Sequence, residues 1–253
     1  MMCAVRFLCL SDIHGHADAL GAVLATAERR GYSRILVAGD LCFPGPQPLA
    51  TWQRLTQLGA ICVQGVGDRA LATVDTSQLR PRDDHERARL QRLVETRNEL
   101  GDAILRRLGK LPSMVRQPLG GHARAGLRAL PPNAEVGTLA PSPAGEHILV
   151  VHGSPVDPLE PITHDMDEAT IADMLGDDPA SVVLCGGSHV PFDRLVERRS
   201  KAAGVPLRTR VINLGSVGEA PVEASRFAHA TFVDSTDDGI EVEQFIVPLG
   251  RAA

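Results

Sequence analysis

The sequence predicts an α/β fold whose first sheet is largely parallel, and three observations carry that expectation. Short apolar runs recur along the chain, each closing on polar or glycine residues. Segments with helical periodicity fill the gaps between the first three runs. The whole is 253 residues long and 43% hydrophobic, enough for a full core in one domain over 1–253. Aromatic residues supply only 3%, so that core must be built of Leu, Val, Ile and Ala.

The runs come in order. Val5–Leu10 ends at Asp12-Ile13-His14-Gly15, Arg34–Ala38 at Gly39-Asp40, and Ala60–Gln64 at Gly65-Val66-Gly67-Asp68. His147–Val151 ends at His152-Gly153, Ser181–Cys185 at Gly186-Gly187-Ser188-His189, and Arg210–Leu214 at Gly215-Ser216. Continuous apolar runs of this length fit strands buried on both faces. Within Asp18–Arg30, Leu20, Val23, Leu24 and Ala27 keep the spacing of one buried helix face. A second helix, Leu49–Leu58, follows an irregular proline-rich turn at Pro44–Pro48. This βαβαβ order calls for parallel strands with right-handed crossovers.

Asp83–Leu108 is a long amphipathic segment with Leu90, Leu93, Val94, Leu100, Ile104 and Leu108 on its apolar stripe and arginines on the other side. It interrupts the strand series, which makes it a helical insertion at about 75–112, its arginines a solvated face. Residues 117–146, rich in Gly and Pro, are expected to be loop. From His229 to Val247 the pattern is a hairpin about Asp237-Asp238-Gly239.

Composition excludes several classes. A net charge of −5 gives no broad footprint for nucleic acid. The five cysteines form no Cys-x-x-Cys pair, and Cys9, Cys62 and Cys185 sit in apolar runs as reduced thiols do, which points to the cytoplasm. The apolar start, Met1–Leu10, is too short for a signal peptide, and no window approaches the ~18 apolar residues of a membrane span, so a soluble protein is expected. No feature fixes the oligomeric state.

In open α/β sheets ligands bind beyond the carboxyl ends of the strands. Here those ends carry Asp12, His14, Asp40, His152 and His189, all metal-compatible. Asp12-x-His14, Gly39-Asp40-x4-Gly45, the Gly65–Asp68 turn, His152-Gly153 and Gly186–His189 together resemble, in order, the motifs of calcineurin-like metallophosphoesterases. The similarity is greatest to a small bacterial phosphodiesterase branch, whose terminal Asn-Pro-Gly-Ser segment Ile212–Val217 resembles.

That resemblance implies a sandwich of two mixed β-sheets flanked by helices, with the helical insertion beside it. It implies hydrolysis of a phosphomonoester or phosphodiester by metal-bound hydroxide, with one or two divalent transition metals (Mn, Fe or Zn). The substrate would be a phosphorylated small molecule or a nucleotide. It places Asp12, His14, Asp40 and His189 on the first metal, with Asp40 shared with a second that also takes His152. Asp40 and His152 become the catalytic pair, His152 steadying the phosphoryl oxygens. Paired dications need a shared carboxylate to clamp a phosphoryl group and present an activated water, which is why these residue types recur.

The chain departs from the pattern at the second metal. Where the family has Gly-Asn-His-Asp it has Gly65-Val66-Gly67-Asp68, losing a ligand at Val66 and a proton donor at Gly67. Where the family has Gly-His-Thr-His it has Gly186-Gly187-Ser188-His189, losing another ligand at Gly187. A firm first site with a weakened second is one reading. The alternative is a catalytically degenerate phosphoesterase fold used as a binding or scaffold module. A different register sets Gly67-Asp68 on the family's Gly-Asn and makes Asp68 a ligand; in the first register Asp68 orients a neighbour. Arg69, His16 and Ser188 stand beside the motifs, to support the ligands or touch substrate. Among histidines off the motifs, His164 is the one placed to replace a lost ligand, and His85, His122, His147 and His229 are expected at the surface or in turns.

Overall fold

The computed structural model describes residues 5–118, 147–201, 204–219, 227–236 and 239–250. In chain order the elements are β1 (Val5–Leu10), α1 (Ala17–Glu28), β2 (Arg34–Val37), α2 (Pro48–Gln57), β3 (Ile61–Cys62) and α3 (Val66–Thr73). A 3-10 turn (Thr76–Gln78), α4 (Asp84–Leu108) and β4 (Met114–Pro118) follow. The remainder is β5 (His147–Val151), α5 (Glu168–Leu175), β6 (Val182–Cys185), β7 (Phe192–Arg199), β8 (Pro206–Asn213), β9 (Phe227–Thr236) and β10 (Gly239–Pro248).

The strands form two five-stranded sheets, ordered β10-β9-β1-β2-β3 and β4-β5-β6-β8-β7. Both are mixed. In the first, β1, β2 and β3 are parallel, while β9 runs antiparallel to β1 and pairs with β10 as a hairpin. The parallel expectation therefore holds for the βαβαβ half, and the hairpin makes the sheet mixed. In the second, β5, β6 and β8 are parallel, with β4 and β7 as antiparallel edges.

Alternation along each strand sorts side chains into layers. Phe7, Cys9, Leu36, Ile148, Val150, Leu184 and Val233 pack together between the two sheets. Their neighbours Leu8 and Leu10 face outward onto Leu20, Val23 and Leu24 of α1. On the far side, Leu149, Val151 and Val183 meet Ile171 and Leu175 of α5. Strands covered on both faces read as unbroken apolar runs, which is why these were visible in the sequence.

Four expectations need correction. Residues 117 and 118, read as loop, end β4, and the rest of that stretch, His122 included, lies outside the described residues, as does the Asp237-Asp238 turn. The segment Asp83–Leu108 is not one uninterrupted helix, because Gly101 at φ 71° breaks it. Val94, placed on its apolar stripe, is 37% exposed, while Leu93, Leu100, Leu105 and Leu108 are buried. Nor are its arginines all solvated. Arg92 donates to Pro44 O (2.8 Å) and Gly45 O, and Arg97 to Val74 O (2.9 Å), so α4 is tied to the loop after β2 and to the end of α3. No helix among the described residues is long and apolar enough to cross a membrane.

Candidate metal centre

The loops at the strand ends are laced together by backbone hydrogen bonds. Asp12 N donates to Gly39 O, His14 N to Asp40 O and Gly15 N to Leu41 O, which joins the ends of β1 and β2. Gly186 N donates to His152 O, and Val217 N and Gly218 N to Ser11 O and Asp12 O, which joins the two sheets. Buried Asn213 adds side-chain bonds to Gly186 O (2.9 Å), Ser188 Oγ (3.0 Å) and Gly215 N (3.0 Å), and Ser216 Oγ donates to Asp12 O (2.8 Å). Packing this tight demands glycine at Gly186, where a Cβ would sit 1.9 Å from Ser11 Oγ and 2.5 Å from Asp12 Oδ2.

Within this lattice Asp12, His14, Asp40 and His189 share an uncommon backbone. They are the non-glycine residues with positive φ among the described residues, at 53°, 52°, 52° and 61°. Each such conformation costs on the order of 1 kcal/mol or more and persists where the surroundings impose it, commonly at functional sites.

Two groups of potential ligands result, Asp12 with His14 and His189, and Asp12 with Asp40 and His152. Asp12 belongs to both, and Asp40 stands with His152 rather than with His14 and His189. His14 Nδ1–H donates to Phe43 O (2.6 Å) and His152 Nδ1–H to Ala38 O (2.7 Å). A carbonyl can only accept, so each ring is fixed with Nε2 toward the carboxylates, the orientation that metal-binding histidines take. His14 Nε2 lies 3.0 Å from His189 Nε2, and these nitrogens are 3.5 and 3.2 Å from Asp12 Oδ1. That oxygen is buried with no hydrogen-bond partner among the described residues. An orphaned carboxylate oxygen flanked by two imidazole nitrogens is a donor set that fits a divalent transition metal. Asp40 Oδ1 accepts from Gly67 N (2.7 Å), while Oδ2 lies 3.6 Å from His152 Nε2.

The electrostatics match. Burial pushes the Asp12 carboxyl up, but the neighbouring imidazoles outweigh it and hold it well below the usual carboxylate range. Burial disfavours charge on His14, yet Asp12 and Asp40 raise its pKa to about 9. His152 is likewise penalised by burial and raised on balance by Asp40 and Asp12. Such a site favours positive charge.

The remaining residues fall around this centre. Asp68 is fully buried at the first turn of α3 and accepts from Leu41 N (3.0 Å) and Gly65 N (3.1 Å). Burial and the Asp40 charge push its carboxyl up. With both oxygens engaged by backbone it braces the Asp40 loop. Ser188 Oγ accepts from Asn213 Nδ2 and Val190 N, and His16 lies against Gly45 and Gly218 at the start of α1. Arg69 is exposed on α3 and His164 is exposed, with its carbonyl accepting from Arg194. None of the four joins a ligand group.

A cleft of about 830 Å³ opens from His14, Asp40 and His189 toward α3, the 3-10 turn and α4. His152, 2% exposed, is behind Asp40 and does not line it. Two lining residues were missed in the sequence reading. Glu219 brings Oε2 to 3.9 Å from His14 Nε2, with its N–H held by Ser216 Oγ (2.7 Å). Its signal was position, three residues beyond a strand-end Gly-Ser turn. His85, read as a surface residue, also lines the cleft.

No curated protein matches the chain. Among solved structures, a hypothetical protein of Pyrococcus horikoshii OT3 is 20% identical with a TM-score of 0.68, over 98% of this chain and 89% of that one. A metallophosphoesterase of Sphaerobacter thermophilus is 21% identical with a TM-score of 0.63, over 96% of this chain and 88% of that one. At these identities the likeness concerns the fold. The profile of the calcineurin-like phosphoesterase superfamily domain matches residues 5–236, and the chain belongs to that superfamily.

Proposed function

We propose that the protein is a metal-dependent phosphoesterase with one firm metal site and a weakened second, acting on a phosphorylated small molecule or nucleotide. One observation carries this reading: Asp12, His14, Asp40 and His189 are all held in the left-handed conformation about a buried carboxylate oxygen that accepts no hydrogen bond among the described residues. A scaffold with no use for metal has no reason to keep that strain.

Asp12, His14 and His189 would hold Mn, Fe or Zn, and Asp40 with His152 would complete or share a second ion. A dication there supplies Lewis acidity toward a phosphoryl oxygen and lowers the pKa of a bound water. The protein's part is positional. His14 and His152 are locked by Phe43 O and Ala38 O, and Asp40 is aimed by Gly67 N. His152 acts on Asp40 from behind, and Glu219, His85 and Glu86 are the acid–base groups outside the ligand set that line the cleft where a leaving group would collect a proton. The free thiols Cys9, Cys42, Cys62 and Cys185 suit a reducing, cytoplasmic setting.

The second reading, a degenerate fold serving as a binding or scaffold module, draws on Val66, Gly67 and Gly187. Val66 is 46% exposed at the cleft, and neither glycine offers a donor side chain. Turnover of bis(p-nitrophenyl) phosphate and p-nitrophenyl phosphate with Mn²⁺, Fe²⁺ or Zn²⁺ separates the two. Hydrolysis lost in both Asp12→Asn and Asp40→Asn is expected. Absent turnover with every metal, or turnover that survives both substitutions, would overturn the enzyme reading.

A further inference from the structure

We infer that the cleft beside the metal centre is a subsite for an apolar group on the phosphoester, with Val66 among the residues that recognise it. This rests on the phosphoesterase reading and names the substrate class: a phosphoester carrying an apolar group of aromatic size.

The volume comes first. About 830 Å³ is the size of a pocket for a drug-sized organic ligand, far more than a phosphoryl group fills. Its chemistry is divided. One end is His14, Asp40 and His189, while the walls beyond are Val66, Ala70, Val74, Leu79, Leu90 and Leu93. Val66 and Leu79 are 46% and 42% exposed, two large aliphatic side chains uncovered in the same concavity. Single exposed hydrophobes are ordinary, but several lining one cavity contiguous with a polar centre mark a place for apolar surface to be buried. Asparagine at position 66 would be polar there; valine extends the apolar wall up to the metal ligands.

The rim carries the opposite message. Arg80, Arg82 and Arg89 stand around the apolar walls, together with His85 and the carboxylates of Glu86 and Glu219. Arg82 is paired with Glu86, and Arg80 bonds to the Ser77 and Leu79 carbonyls, whereas Arg89 has no partner among the described residues. An apolar interior inside a cationic rim fits an anion with an apolar body.

The test is calorimetric binding to the full chain, loaded with Mn²⁺ or treated with chelator, using two phosphonates that are not hydrolysed. Methylphosphonate probes the metal end alone, and (1-naphthyl)methylphosphonate adds an apolar body. In the Mn²⁺-loaded protein the naphthyl compound is expected to bind at least about tenfold tighter, since burying several aromatic carbons on aliphatic walls is worth that factor or more. Val66→Ala/Leu79→Gln changes two exposed side chains without adding a donor beside the metal ligands, leaves the core intact, and should shrink the ratio below about threefold with methylphosphonate affinity unchanged. Equal binding of the two compounds overturns the apolar subsite and leaves the phosphoesterase reading standing. A preference that survives the double substitution overturns its assignment to this cleft. Naphthyl binding that ignores chelation, with no methylphosphonate binding, supports the apolar subsite and removes the phosphoester reading beneath it. No binding of either compound overturns both.

Discussion

Adding two donors beside Asp40, by Val66→Asn together with Gly187→His, tests the proposal that the second group of ligands holds an ion only weakly. Asp12, Asp40 and His152 already converge there, and a Cβ on Gly187 would lie 3.4 Å from His152 Nε2. The same Cβ would lie 3.1 Å from Pro161 Cβ, and Gly187 has φ +76°. A non-glycine residue in that conformation costs about 1–2 kcal/mol. At about 2–4 °C per kcal/mol for a chain of this size, the metal-free variant should melt roughly 2–8 °C lower than the parent. Metal then works the other way. A second ion present at about 100 times its dissociation constant returns ~2.7 kcal/mol, enough to cancel the loss. The assays are differential scanning fluorimetry with and without Mn²⁺, and metal analysis after gel filtration. The expected result is a lower melting temperature without metal, a larger Mn²⁺-induced rise than the parent shows, and bound metal increasing from about one to about two ions per chain. Bound metal unchanged in the variant at saturating Mn²⁺ would refute the proposal that donors absent at positions 66 and 187 leave the second site weak.

Two further outcomes follow from the geometry. His14, with a pKa near 9 in the metal-free protein, must lose its proton to bind a cation, so apparent affinity should climb between pH 7 and 9 by up to about tenfold per unit and flatten above. The sign is set by protonation below the folded pKa competing with metal, and titration calorimetry that finds affinity flat over this range would contradict it. Asn213→Ala leaves Gly186 O, Ser188 Oγ and Gly215 N without their side-chain partner in a fully buried position, which should cost about 2–4 kcal/mol in denaturant unfolding. A cost below about 1 kcal/mol would show that this side chain does not brace the site.

The parts of the fold legible in the sequence are those where composition has one explanation. Phe7–Leu10 and Ile148–Val151 are buried on both faces, so nothing polar interrupts them. Phe192–Arg199 was invisible because it is an edge strand, with only Val196 buried among charged neighbours that suit an open edge. Met114–Pro118 is an edge as well, and its closing proline reads as loop. The break at Gly101 did have a signal, a glycine inside an amphipathic helix, that the apolar stripe overrode. In the site, Asp12, His14, Asp40 and His189 stood out because charged residues rarely end apolar strands without cause. That Val66 and Leu90 face a cleft did not, since an aliphatic side chain on a helix looks the same whether it faces a core or a cleft. The tertiary placement of α3 and α4 decides that, and periodicity is silent on it.

The left-handed backbone at Asp12, His14, Asp40 and His189 also bears on when metal arrives. These conformations are imposed by loops cross-tied between two sheets, and in an unfolded chain they are scarcely populated. The cradle therefore exists only after both sheets have closed, so the ion is a late arrival and not a template for folding. A finished, rigid cradle of imidazole and carboxylate takes whichever dication reaches it, and the intrinsic order of affinities favours copper and zinc over manganese. Which metal would fill the cradle is then set by the supply in the compartment where folding ends, and the same chain made in another host would leave that host with a different ion.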